Sequence, residues 1–342
     1  MITNSEVLQA DFQPAEILHR HDQINYLSEV LEPITDNQRV DGAFIHGPTG
    51  VGKTHTTQFL LERLEASSPE IETTLIDCWA NYQYGATLKR VLEGYDIFRR
   101  RGEPKDDLIA KLKAEVDHPY VVVLDEVDQL EDDRLLKPLH EMPHITLLLI
   151  ANEREDLYSR LDSRVHSRLA GYPAVEFKKY TQDELVSILR KRTEAATRGE
   201  VISEPHLEVI ADRVGGDARF AIAILKNALE HADRRGGERV RKEDIESVLG
   251  DAREELLRAT ISKLTADQRV LYQILVEGGE QSIGEIYEQY EQRVRDPVVK
   301  RTVTGYLQKM EHYDIVELHG QKRGRTYEVT TTQLMDFEDV LE

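Results

Sequence analysis

The chain has 342 residues, 40% hydrophobic and 32% charged, and its 64 Asp and Glu outnumber its 44 Lys and Arg, a formal net charge of −20. This length leaves room for two or three domains with separate cores, the acidic balance argues against sequence-blind adhesion to a polyanion, and a lone cysteine, Cys78, excludes disulfides within the chain and any cysteine-based zinc cluster. The longest apolar run, ITLLLIA at 145–151, is far too short for a bilayer and no charged segment leads into an apolar one at the start, so a cytoplasmic protein with no membrane partner is expected.

The 44 basic residues divide into 15 Lys and 29 Arg. An acidic, Lys-poor surface stays hydrated in concentrated salt, which points to a halophilic source. In that setting salt screens long-range repulsion to a few Å, so local charge carries more information than the total.

In chain order, GAFIHG (42–47) reads as a short buried strand and HTTQFLLERL (55–64) as an amphipathic helix. Between them, Gly47, Pro48, Thr49, Gly50, Val51, Gly52, Lys53 and Thr54 fit the phosphate-loop pattern GxxxxGK[ST]. The glycines let backbone N–H groups wrap a phosphate, and the following helix adds its positive end. Lys53 would neutralise the β- and γ-phosphates of a nucleotide, and the Thr54 hydroxyl would ligate Mg²⁺. Residues 66–70 and 99–107 read as surface loops.

YVVVLDEVDQL (120–130) reads as a strand buried on both faces. It ends in Asp125 and Glu126, at the edge where an open α/β sheet takes its ligand. Asp125 would hold the magnesium and its water, and Glu126 would act as general base on the attacking water. ITLLLIAN (145–152) gives another buried strand that ends at Asn152, suited to orienting that water or sensing the γ-phosphate. LDSRVHSRLAG sets Arg164 and Arg168 at i, i+4 on one helix face. In GGDARFAIAILKNALEHA, Asp217 caps a helix whose first turn holds Arg219, a cation opposed to the helix dipole that an external anion would explain. Taken singly, the acidic strand end also fits a solvated turn, Asn152 an Asx turn, and the arginines solvated side chains. Their order behind a phosphate loop gives the functional reading its weight.

From about 179 the pattern is helical only, with segments near 181–197, 204–214, 217–233 and 241–249 and a capping box at Thr181 and Glu184. From 253, Thr265 with Gln268 and Ser282 with Glu285 each open a helix. Asp296-Pro297 predicts an N-cap with proline at the first position of a third helix, about 297–312. That helix would bury Val299, Val303, Tyr306 and Met310 and present Lys300, Arg301, Thr304 and Gln308. Two alternating segments follow, joined by a basic turn with Lys322, Arg323 and Arg325. Three helices and a hairpin predict a winged helix-turn-helix. Residues 293–330 hold eight Lys/Arg against five Asp/Glu, a local excess of +3. A recognition helix in the major groove with a basic wing on phosphate fits this balance, and a protein-docking module is the alternative.

Assembled, the chain resembles the archaeal initiators related to origin recognition complex and cell-division-control proteins, a branch of the AAA+ ATPases. GPTGVGKT, LDEVDQL and IANERED match its Walker A, Walker B and sensor 1 motifs. SRVHSRL is similar to the arginine-finger segment and points to Arg168, while GGDARFAI looks like sensor 2 and points to Arg219. ADFQPAEILHRHDQINYLSEVLEP resembles the N-terminal stretch that lies near adenine, and GEIYEQYEQRV the second helix of the winged-helix domain. The family's helical insertion before Walker B, which touches DNA, would fall around 80–105.

The resemblance implies an α/β P-loop AAA+ core with a parallel sheet over 1–178, a helical lid over 179–252 and a winged helix over 253–342. It also implies an ATP-dependent, slowly hydrolysing switch that binds double-stranded origin DNA, helps load the replicative minichromosome maintenance helicase and pairs with other initiator copies or paralogues in the nucleoid. A branch-migration motor, a signalling NTPase and a clamp loader are the alternative readings of an AAA+ core.

Overall fold

Runs of β-branched and leucine residues with no polar break make strands that must be covered on both faces. In the computed structural model, which describes residues 1–9, 12–100, 102–159, 161–313, 315–320 and 324–330, they form the centre of a parallel sheet. A short 3-10 turn (Glu6–Leu8) and α1 (His21–Leu31) precede β1 (Gly42–His46). The phosphate loop leads into α2 (Lys53–Ser67), followed by β2 (Glu72–Asp77), α3 (Tyr84–Glu93), α4 (Lys105–Glu115) and β3 (Tyr120–Asp125). Next come α5 (Leu136–Glu141), β4 (Ile145–Ala151), α6 (Arg154–Tyr158), α7 (Ser163–Leu169) and β5 (Ala174–Glu176).

The strand order is β2-β3-β4-β1-β5, and every pairing is parallel. Side chains alternate across the pleat. Val122, Leu124, Leu147 and Leu149 therefore face one core with α3, α4 and α5, while Val121, Val123, Leu148 and Ile150 face the other with α1 and α2. β4 lies between β1 and β3, and the register brings His46 level with Ala151 and Asp77 level with Asp125. The carboxyl ends of β1, β3 and β4 thus meet along one edge.

The β2–β3 crossover contains two helices, α3 and α4, where one would return the chain, and 80–105 falls across α3 and the segment after it. In that segment Phe98 is 75% exposed.

The helical region follows as α8 (Gln182–Ala196), α9 (Glu204–Arg213), α10 (Ala218–Arg234) and α11 (Lys242–Ser262). Thr181 and Glu184 close the expected capping box, and Asp217 caps α10 by accepting from the amides of Arg219 and Phe220. The last helix, predicted to stop near 249, runs on to Ser262. Gly250 is exposed and is followed by DAREELLRA, strong helix formers that carry the helix past it.

The chain divides into two compact units, Met1–Val248 and Leu249–Glu342. The second holds α12 (Ala266–Gly278), β6 (Gln281–Ser282), α13 (Ile283–Arg293), α14 (Lys300–His312), β7 (Val316–His319) and β8 (Thr326–Val329), in the order expected of a winged helix. Its strands form an antiparallel sheet in the order β6-β8-β7. Both predicted capping boxes, Thr265 with Gln268 and Ser282 with Glu285, are present.

The start of α14 differs from expectation. Its N-cap is Val299, not Asp296, and Pro297 lies outside the helix. Tyr290 Oη accepts from the Val298 amide at 3.3 Å and Tyr287 Oη donates to the Val298 carbonyl at 3.3 Å, so α13 grips this stretch before the helix begins. Val299 is consequently 66% exposed, and the buried face of α14 is built on Val303, Leu307 and Met310.

Candidate functional site

At the carboxyl edge of the sheet, the phosphate loop crosses above β1 with Gly47, Gly50 and Gly52 at φ of +145°, +74° and +86°. Side chains are strained there, and a Cβ at Gly50 would also lie 2.0 Å from Asp217 Oδ1, so the capping carboxylate would have to move. The close approach is used, because the Ala218 amide at the start of α10 donates to the Gly50 carbonyl at 3.0 Å. The lid helix is thereby docked directly on the phosphate loop.

Lys53, at the first turn of α2, is only 9% exposed. Its ammonium donates to the carbonyls of Gly47 (2.6 Å) and Pro48 (2.8 Å) and to Asn152 Oδ1 (3.0 Å). Burial lowers its pKa to about 8, opposed chiefly by the charge of Asp125. An ammonium held against carbonyls in a desolvated site is primed to exchange those dipoles for a phosphate anion. Asn152 sits one residue beyond β4, and its own carbonyl accepts from the Gly47 amide at 3.0 Å.

Thr54 Oγ1 donates to Asp125 Oδ2 at 2.7 Å, and the other carboxylate oxygen accepts from the Glu126 amide at 3.0 Å. Burial raises the pKa of Asp125, against the pull of the Thr54 hydrogen bond and the Lys53 charge. Glu126 occupies the left-handed region at φ +53° without being glycine. Backbone held in that region costs about 1–3 kcal/mol and is concentrated at functional positions.

These groups surround one cavity of about 430 Å³, reached by the loop residues Thr49–Thr54 and by Asp125, Glu126, Asn152 and Arg219. Gly47 and Pro48 contribute through their carbonyls to Lys53. Arg219 is half-exposed and lies 3.4 Å from Asp217 Oδ2. Arg168 is not among the cavity residues: on α7 it pairs with Glu141 at 2.7 Å and donates to the Arg164 carbonyl at 3.2 Å.

In the second unit, Lys300 and Arg301 are exposed on the first turn of α14, while the Thr304 hydroxyl bonds the Lys300 carbonyl at 2.9 Å. Arg325 is exposed immediately before β8. Lys322 and Arg323 lie outside the described residues.

Two buried arginines escape a motif reading. Arg20 donates to the carbonyls of Val51 (3.0 Å) and Lys178 (2.8 Å) and stacks 3.9 Å from the Tyr180 ring centroid, tying the phosphate loop to the segment after β5. Arg192 lies on the buried face of α8 at the far end of the cavity. Its signal was periodicity: it follows Leu185 and Leu189 at helical spacing, where an apolar residue is due.

Among the described residues no three acidic, histidine or cysteine side chains gather as a metal cluster, and no helix is long and apolar enough to cross a membrane.

Comparison with known proteins agrees with this geometry. Residues 41–161 match the AAA domain model and residues 186–249 the Cdc6 AAA+ ATPase-type lid domain. The chain is 40% identical to ORC1-type DNA replication protein 9 of Halobacterium salinarum, over 96% of this chain and 93% of that protein. It is 41% identical to ORC1-type DNA replication protein 1 of the same organism, over 89% and 99%. Among solved structures, the Aeropyrum pernix ORC1 protein in complex with DNA superposes with a TM-score of 0.76 at 25% identity, covering 97% of this chain and 94% of that one. A phosphate loop, paired acidic strand end and docked helical lid, carried by a chain so similar to these relatives over nearly its whole length, place the protein in the ORC1/Cdc6-type family of DNA replication initiators, a branch of the AAA+ ATPases.

Proposed function

We propose that this initiator binds double-stranded origin DNA, that ATP binding and slow hydrolysis switch it between a binding and a released conformation, and that its DNA-bound form helps load the replicative helicase. The observation that carries the reading is the convergence of Lys53, Asp125, Glu126, Asn152 and the lid residue Arg219 on one cavity, with the lid hydrogen-bonded to the phosphate loop itself. A lid attached in this way moves when the loop's contents change, which suits a switch.

In this reading the loop amides from Thr49 to Thr54 and the Lys53 ammonium hold the β- and γ-phosphates, with Gly47 and Pro48 shaping the loop. Glu126 takes the proton as water attacks the γ-phosphorus and the bond to the β–γ bridging oxygen breaks, releasing ADP and phosphate. Asn152 orients that water, and Arg219 reports the γ-phosphate to the lid. The adjacent Thr54 and Asp125 oxygens fit Mg²⁺, which takes few protein oxygens and completes its shell with water and phosphate. When bound, Mg²⁺ would neutralise charge on the phosphates. Arg168, outside the cavity, would serve only a neighbouring initiator copy or paralogue.

The base, lid and winged-helix boundaries of 1–178, 179–252 and 253–342 belong to the same proposal, supported by the lid match over 186–249. DNA contact falls to α14 through Lys300, Arg301 and Thr304, to the turn with Lys322, Arg323 and Arg325, and to the segment carrying exposed Phe98. The similarity to an ORC1 solved with DNA supports this. Cytoplasmic location, on the nucleoid, follows from the role.

The test pairs two variants. Lys53→Ala should lose ATP binding, while Glu126→Gln should retain ATP, stop hydrolysis and stay locked in the ATP-state affinity for duplex DNA. Hydrolysis by Glu126→Gln at the wild-type rate would refute the general-base assignment, and DNA affinity indifferent to ATP and ADP would refute the switch.

A further inference from the structure

The far end of the cavity is an apolar slot. Val7, Phe12, Pro14 and Ile17 from the N-terminal segment face Ile188 and Ile222 from α8 and α10. Glu16 and Lys191 also line the cavity but are exposed, whereas the guanidinium of Arg192 is buried. It is 9% exposed, and burial alone lowers its pKa from the ordinary arginine value. Its partners are backbone oxygens: Nη1 donates to the Val7 carbonyl at 2.6 Å and Nη2 to the Phe12 carbonyl at 3.2 Å. The guanidinium carbon also lies 5.1 Å from the Phe12 ring centroid.

Burying a cation is costly unless its hydrogen bonds are made, and an apolar side chain of similar volume would fill the same space at less cost. What arginine adds here is a planar fork that joins two points of one chain segment to a different element. The anchorage continues along α8, where the Ala196 carbonyl accepts from the amides of Thr3 (2.8 Å) and Asn4 (3.1 Å). Beyond Phe12, Gln13 Nε2 donates to the His55 carbonyl on α2 at 3.0 Å. Thr3, Asn4 and Val7 therefore hold to α8, while Phe12 and Gln13 link α8 to the helix that follows the phosphate loop.

We infer that Arg192 is a positioning residue for the nucleoside end of the ligand: by holding the carbonyls of Val7 and Phe12 it sets the width of the slot that accepts a flat purine, and so determines base preference separately from phosphate binding. This rests on the nucleotide reading above, but concerns the opposite end of the cavity. Lys53, which would hold the phosphates, and Thr54 and Asp125, which would hold Mg²⁺, are placed by hydrogen bonds that do not involve Arg192.

The experiment compares equilibrium binding of ATP, CTP and inorganic tripolyphosphate, each with Mg²⁺, to wild-type protein, Arg192→Ala and Arg192→Lys. Lysine keeps the charge but cannot hold two carbonyls through one planar fork, and serves as the readout should the alanine variant fail to fold. Losing hydrogen bonds made by a buried charged group corresponds to about a tenfold loss of ATP affinity. Tripolyphosphate affinity should stay within about twofold, because its binding draws on the other end of the cavity. The preference for ATP over CTP should narrow accordingly. Equal losses for ATP and tripolyphosphate would show a general structural role and overturn the inference, as would unchanged ATP affinity with unchanged base preference. Wild-type protein that binds tripolyphosphate no more weakly than ATP would overturn it as well, whereas wild-type protein that binds neither would sink the nucleotide reading itself.

Discussion

The Ala218 amide donates to the Gly50 carbonyl at 3.0 Å, joining the first turn of lid helix α10 to the middle of the phosphate loop. The Asp217 carboxylate, which caps α10, packs where a Gly50 side chain would be. Gly50→Ala should therefore push the lid off the loop. Its Cβ would collide with a carboxylate anchored by the Arg219 and Phe220 amides, at a φ that already strains alanine. The expected outcome is retained phosphate binding with a lid that no longer responds. Limited proteolysis with ATP and with ADP would show identical patterns in the variant, and a wild-type difference between the two nucleotides that survived the substitution would count against this coupling.

Arg219 pairs with Asp217 at 3.4 Å while lining the same cavity as the phosphate loop. Under the proposed switch, an arriving γ-phosphate would offer it a stronger, bidentate partner. Arg219→Ala should leave ATP affinity within about an order of magnitude, since the loop and Lys53 still hold the phosphates, yet abolish the ATP-dependent change in small-angle scattering. Persistence of that change in the variant would remove Arg219 from the switch.

Much of this site could be read from the sequence because its signals are local. The phosphate loop is one unbroken pattern, the Walker carboxylates end a strand that is apolar throughout, and each capping box spans four residues. What escaped depended on distant partners. β5 has three residues and β2 is partly exposed at the sheet edge, so neither gives a strong apolar run. α14 starts at Lys300 because tyrosines of the preceding helix hold Val298, a tertiary effect that overrides the Asp-Pro signal. Arg192 stood out only as an arginine in an apolar position, and its partners lie 185 and 180 residues away along the chain.

Asp244 locks the last two helices of the lid. It is 2% exposed and accepts from Arg235 through both oxygens, from the Arg241 amide at 2.7 Å, and bonds His231 Nδ1 at 2.9 Å. The Arg235 hydrogen bonds, followed by those of Arg241 and His231, outweigh burial and hold its carboxyl well below the usual carboxylate range. A depressed carboxyl pKa gives stability that is complete above the unfolded value of about 4 and is lost as pH falls through the folded one. Asp244→Asn should cost on the order of 2 kcal/mol. The gap to wild type in thermal unfolding should be constant from about pH 5 to 8 and close only below about pH 4. A gap that varied across the neutral range would assign the stabilisation to another group.

The sequence places a basic turn with Lys322, Arg323 and Arg325 after β7. Arg325 is exposed at its end, and with Lys322 and Arg323 it adds to a local charge of +3 over 293–330 in a chain of −20. Exposed hairpin ends also carry charge simply to remain soluble, so charge reversal has to separate the two roles. If the turn holds phosphate, replacing all three residues by Glu should weaken binding to specific and random duplexes alike and lower the slope of log K against log salt by about 1 per lost contact. ATP binding should be unaffected, because the cavity lies wholly within the first unit. Substitutions of Lys300 or Arg301, exposed at the start of α14, should instead erode preference for the correct site, since contacts made by a recognition helix discriminate bases. Thr304→Ala should do less, because its hydroxyl already bonds the Lys300 carbonyl. A charge-reversed turn with unchanged affinity and salt slope would show that it is a solvated tip, and would move the phosphate contacts to α14 and the segment around Phe98.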